Sequence, residues 1–172
     1  MEILYNGKKY RNIYFKWVDE DFIAVPASLQ RELDAHFYKD IDVHGMKKEE
    51  AVELADSLKK AESFEAAAQI YEKLCETLGY KESRYIYPKL CSCYRGMHAS
   101  HKVIDLMKSI KTKHGARAIS PVLLTSAAAA YCDIGDLESA KICADKAYAL
   151  NDGRATYELT LVYRRLNKLS RE

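Results

Sequence analysis

Apolar positions along this chain change their period once, near residue 45, and each period predicts a different kind of element. In the first stretch Ile13, Phe15 and Trp17 alternate with Arg11, Tyr14 and Lys16, a period of two that belongs to a strand with one buried face. Asn6-Gly7, beside Ile3–Tyr5, is the strongest short-range hairpin signal, because both central residues of a type I′ turn need positive φ. Asp19-Glu20-Asp21 reads as a second turn before Phe22–Val25, Pro26 closes that strand, and Leu29, Leu33 and Phe37 come next at helical spacing. This predicts a three-stranded meander plus one helix over residues 1–45. Three short strands bury little surface alone, so the module is expected to dock on the helical remainder of the chain.

From residue 46 onward the pattern is helical and repeats itself. Ala51, Leu54, Ala55 and Leu58 precede Phe64, Ala67, Tyr71 and Leu74; Tyr87, Leu90, Cys91 and Tyr94 precede Val103, Met107 and Ile110. In a third segment Leu124, Ala127, Ala128 and Tyr131 precede Gly135, Leu137, Ala140, Ala144 and Ala147. Equivalent positions lie 36 residues apart from Ala67 to Val103 and 37 from Val103 to Ala140. Small residues let paired helices approach, larger ones fill the space beside them, and stacked pairs share one core. Arg154–Lys168 reads as an amphipathic capping helix with Tyr157, Leu161 and Val162 on one side.

The stretches Tyr131–Ala140 and Ser63–Tyr71 carry a family resemblance. Their order of bulky, small and aromatic positions resembles the tetratricopeptide repeat, a helix–turn–helix unit of about 34 residues. The resemblance covers about residues 48–168 in three degenerate units. Val103 and Met107 replace the usual Ala and aromatic, and the usual Pro after the second helix is missing. It implies a mainly α fold, an α-solenoid of helix pairs over 46–172, with the small β-rich module in front. The extra spacing implies longer second helices or longer loops, and Pro88 is expected to bend or delay its helix.

By the same resemblance, outward residues of each first helix line a concave groove that binds a peptide or protein. These are Val52, Asp56 and Lys59; Tyr85, Lys89, Ser92 and Arg95; Val122, Thr125, Ala129 and Asp133; and Tyr157 with Arg164. One family subtype grips a C-terminal carboxylate with paired Lys and Asn; here Asn6, Asn12, Asn151 and Asn167 all fall off the groove faces. The second unit also resembles, loosely, the RNA-reading pentatricopeptide repeat. The N-terminal module either caps the first repeat or offers a strand edge, with Tyr5, Tyr10 and Tyr14, to a partner.

Composition narrows the picture further. With 7 Gly and 3 Pro in 172 residues, turn-rich sandwiches and barrels are disfavoured. Apolar runs stay short of the roughly 20 residues of a membrane helix, and the N-terminus lacks the form of a signal peptide. Together with five unexported cysteines, this predicts a cytoplasmic protein with reduced thiols. A net charge of +2 conceals asymmetry: Arg95–Arg117 is locally basic, whereas residues 19–65 are acidic. Lys108, Lys111, Lys113 and Arg117 are therefore a candidate nucleic-acid patch, or simply a solvated helix end that the helix dipole favours.

No chemistry emerges from the remaining motifs. Cys91 and Cys93 with His98 and His101 could suggest zinc, yet residues two apart on one helix point away from each other. No nucleophile elbow, phosphate-cradling glycine loop or His-Glu-x-x-His is present. Glu49, Glu50, Glu53 and Asp56 read as solvated early turns of a helix. The expectation is a non-enzymatic adaptor without metal or cofactor, with an RNA-binding repeat protein and a homo-oligomeric module as alternatives.

Overall fold

A computed structural model describes the backbone at residues 3–5, 8–10, 13–18 and 21–171, and side chains over 27–171. Contacts divide the chain into two units, Met1–Lys73 and Leu74–Glu172. The sequence pattern changes at 45/46, whereas this division falls inside a helix.

In the first unit β1 (Ile3–Tyr5) pairs antiparallel with β2 (Lys8–Tyr10), and β3 (Ile13–Val18) pairs antiparallel with β4 (Asp21–Pro26). Among the described residues these form two two-stranded ladders, where the sequence pattern predicts a single three-stranded meander. Lys8-Lys9-Tyr10 carries no apolar alternation, which is why β2 escapes a reading based on period. The Asn6-Gly7 turn and Asp19-Glu20 lie outside the described residues. Helix α1 (Ala27–Tyr38) begins directly after Pro26. It buries Leu29, leaves Leu33 half-buried, and exposes 76% of Phe37, so only part of its apolar spacing serves a core.

Helices α2 (Lys48–Lys60) and α3 (Phe64–Thr77) follow, joined by a short turn. Ala51 and Ala55 on α2 and Ala66 and Ala67 on α3 are fully buried. Small side chains at these positions let helix backbones come close. Tyr71 is buried as well, and its hydroxyl donates to Asp56 Oδ1 at 2.5 Å, so a bulky residue is retained without an orphaned oxygen. Ser63, 2% exposed, donates to Asp34 Oδ2 at 2.6 Å and ties the α2–α3 turn to α1.

The second unit contains the short α4 (Tyr80–Ser83), then α5 (Tyr87–Gly96), α6 (Ser100–His114), α7 (Pro121–Ile134), α8 (Leu137–Leu150) and α9 (Tyr157–Leu169). Pro88 stands at the second position of α5, where a missing N–H costs nothing, so it begins the helix instead of bending it. Ser120, Asp136 and Thr156 cap α7, α8 and α9, each accepting from the N–H three residues on. Helix α9 therefore starts at Tyr157, later than the amphipathic pattern from Arg154 suggests. Gly135 ends α7 with φ at 81°, a left-handed conformation that side chains other than glycine resist. The connection between α6 and α7 holds a 3-10 turn at Ala116–Ala118.

Packing in this unit is sequential. Helix α5 touches α6 and α7; α6 touches α7; α7 touches α8 and α9; and α8 touches α9. The core joins Leu124, Ala128 and Cys132 of α7 to Ala140, Ala144 and Ala147 of α8 and to Leu159, Val162 and Leu166 of α9. Each alanine stands where a larger residue would push two helices apart.

Candidate partner-binding face

Helices α5, α7 and α9 are neighbours in order, and one carboxylate joins all three. Asp133, near the end of α7, accepts from Arg95 Nε of α5 at 2.7 Å and from Arg165 of α9. It also accepts from the buried Ser100 hydroxyl, at the start of α6, at 2.7 Å. Burial pushes the carboxyl pKa up, but hydrogen bonds from Arg95, Arg165 and Ser100 outweigh it and bring the value down to about 2. An acidic residue at a helix C-terminus faces the negative end of the dipole, so Asp133 depends on these donors.

Two predicted groove residues, Arg95 and Asp133, are thus bound to each other across helices. Arg165 and Ser100 carry no signal of their own in the sequence: Arg165 lies at the charged end of the helix expected over Arg154–Lys168, and Ser100 looks like an ordinary turn residue. The signal that could have found them is Asp133 itself, an acid at the unfavourable helix end and in need of cations.

The other predicted residues of this unit separate by exposure. Tyr85 is 65% exposed, with the Arg84 guanidinium 4.6 Å from its ring centroid, and Val122 is 54% exposed. Ser92 is exposed and Lys89 half-buried. Thr125 does not face solvent: it is 9% exposed and its hydroxyl donates to the Pro121 carbonyl at 2.9 Å. Ala129 is likewise buried at 8%, within the helical core. Tyr157, 73% exposed, and Arg164 stand on the solvent side of α9.

In the first unit Val52 and Asp56 line an open depression of about 460 Å³ along α2, with Lys48, Glu49, Glu53, Ser57 and Lys60. Lys59 is half-buried and is not among these lining residues. The basic patch is fully at the surface: Lys108, Lys111, Lys113 and Arg117 are all exposed. Lys108 has Asp105 at 3.7 Å, an exposed pair of small energetic weight.

Helix α9 is fastened to α8 as well as to α7. Asp145 of α8 accepts from Lys141 Nζ at 2.6 Å and from the Tyr163 hydroxyl at 2.9 Å. Burial, together with this hydrogen bond, holds the Tyr163 pKa up at about 12. Burial likewise raises the thiols of Cys91, to about 12, and of Cys132 and Cys143, which keeps them protonated and weakly nucleophilic. No group of three or more metal-ligating side chains occurs among the described residues, and no helix among them is long and apolar enough to cross a membrane. Comparison with family models, curated proteins and solved structures finds no match to this chain.

Proposed function

We propose that the chain is a non-enzymatic, cytoplasmic helical-repeat adaptor of tetratricopeptide type, which binds another protein on the outward face of its first helices. The observation that carries this reading is the packing order of α5, α7 and α9, each touching the next while their second helices lie between them in sequence. That order matches the stacking by which helix–turn–helix repeats bury a shared core. Exposed Tyr85, Val122 and Tyr157, each at or near the start of α5, α7 or α9, supply large apolar contacts that a solvated helix layer does not need. Fold analogy supplies the word adaptor, so the test has to be on binding.

Affinity capture from cell extract, with and without RNase, compares the wild-type chain with a Tyr85→Ala/Ser92→Arg variant whose helix content is checked by circular dichroism. The expected result is a set of proteins retained after RNase and lost by the variant. Retention of the same proteins by the variant, or only RNase-sensitive retention, overturns the adaptor reading. The exposed lysines at the end of α6 support the RNA alternative, which predicts homopolymer RNA binding that falls steeply with salt and disappears in Lys108/Lys111/Lys113→Ala.

A further inference from the structure

Helix α9 is amphipathic in an unusual sense. Leu159, Val162 and Leu166 form its buried stripe. With 3.6 residues per turn, the opposite stripe is Tyr157, Leu161, Arg164 and Lys168. Solvent-facing stripes of surface helices are ordinarily polar, yet here Tyr157 and Leu161 are 73% and 42% exposed. They sit one turn apart, as a pair of anchors. Arg164 follows them on the stripe and Arg154 precedes them in the turn before the helix, both exposed, with the exposed Asp152 beside Arg154 in that turn. No carboxylate falls on the stripe; Glu158 lies a quarter-turn away. The helix is also held firmly, by Arg165 to Asp133 and by Tyr163 to Asp145. A rigid platform loses little conformational freedom when something binds to it.

We propose that the outer stripe of α9 is a docking site for an acidic, amphipathic segment of a partner protein, whose Asp and Glu meet Arg154 and Arg164 while its apolar residues cover Tyr157 and Leu161. Charge complementarity chooses this occupant over a basic or neutral segment. The proposal rests on the adaptor reading: it gives a partner class to the α9 end of that outward face, where Tyr157 stands, and its anchors are residues other than Tyr85 and Ser92. Apolar anchors supply the contact area, and the flanking cations set register and exclude basic competitors.

The test is selection of a displayed library of random 16-residue peptides on the immobilised full chain at physiological salt. Enrichment of sequences interleaving Asp or Glu with Leu, Ile or Phe at helical spacing is expected. Binding of the enriched peptides, read by fluorescence anisotropy, should fall at least tenfold for Arg164→Glu and for Tyr157→Ala. It should be unchanged for Lys111→Glu/Lys113→Glu, which alters a basic region elsewhere. No enrichment, enrichment of basic or neutral peptides, or equal loss in the Lys111/Lys113 variant overturns the proposal. So does a concentration-dependent dimer abolished by Arg164→Glu, which would make a second copy the occupant. If peptide selection fails while capture remains sensitive to Tyr85→Ala/Ser92→Arg, the adaptor reading stands and this inference falls. Loss of both results would remove the two together.

Discussion

Replacing Asp133 by Asn keeps the shape and an acceptor for the Ser100 hydroxyl while removing the charge that Arg95 and Arg165 share. The carboxyl falls from an ordinary 3.8 to about 2 in the folded chain, a difference worth about 2.5 kcal/mol of linkage. Its two arginines are 35% and 42% exposed, so water competes for them. Screening reduces the contribution to about 1 kcal/mol. Because the folded pKa is depressed, the stabilisation is present above about pH 4 and is lost as pH falls through about 4 toward about 2. Urea melts tracked by circular dichroism measure it without adding ions. The wild-type chain should exceed Asp133→Asn by about 1 kcal/mol at pH 7, with the gap reduced to about a third by pH 2.5 and narrowing in about 1 M salt. Other carboxylates titrate alike in both proteins and cancel. A gap that is the same at pH 7 and pH 2.5 would refute the electrostatic account and leave only side-chain packing.

Packing and backbone geometry set three further outcomes. Leu159→Ala removes a side chain 1% exposed beneath α9, and should cost about 2–5 kcal/mol in urea melts while hastening proteolytic cleavage in the segment 151–156. Ala128→Leu adds bulk at a fully buried contact; overpacking should cost about 1–3 kcal/mol, read from the same melts. At Gly135, φ is 81° and a new Cβ would meet nothing within 4 Å. Gly135→Ala should therefore cost about 1 kcal/mol from backbone strain alone, and Gly135→Asn less, measured by thermal melts.

Helix pairs were legible in the sequence because small residues recur where helices must approach. Ala55, Ala67, Cys91, Val103, Ala128 and Ala140 are all fully buried, as that spacing requires. Caps were legible in principle too, since Ser120, Asp136 and Thr156 are residue types that favour such positions. The β2 strand was not, because Lys8-Lys9-Tyr10 pairs through its backbone and carries no apolar period. Exposure along the first helices was only partly legible. Thr125 and Asp133 both count as outward by helical position. A hydroxyl can turn back on its own helix, however, and a carboxylate can be claimed by arginines that are distant in sequence. Such pairings depend on how neighbouring helices align, which no local pattern encodes.

The sequential packing of α5 through α9 has a consequence for how this part of the chain comes into being. The helices packed most closely on α7 lie immediately before or after it, or one element beyond. Loops closed by such contacts are short, so little chain entropy is spent before each new contact forms, and low contact order favours rapid folding. During synthesis α7 can rest on α5 and α6 as soon as it emerges, and α8 and α9 can add in turn. The order of residues is then also an order of assembly, each helix meeting its neighbours as it is made.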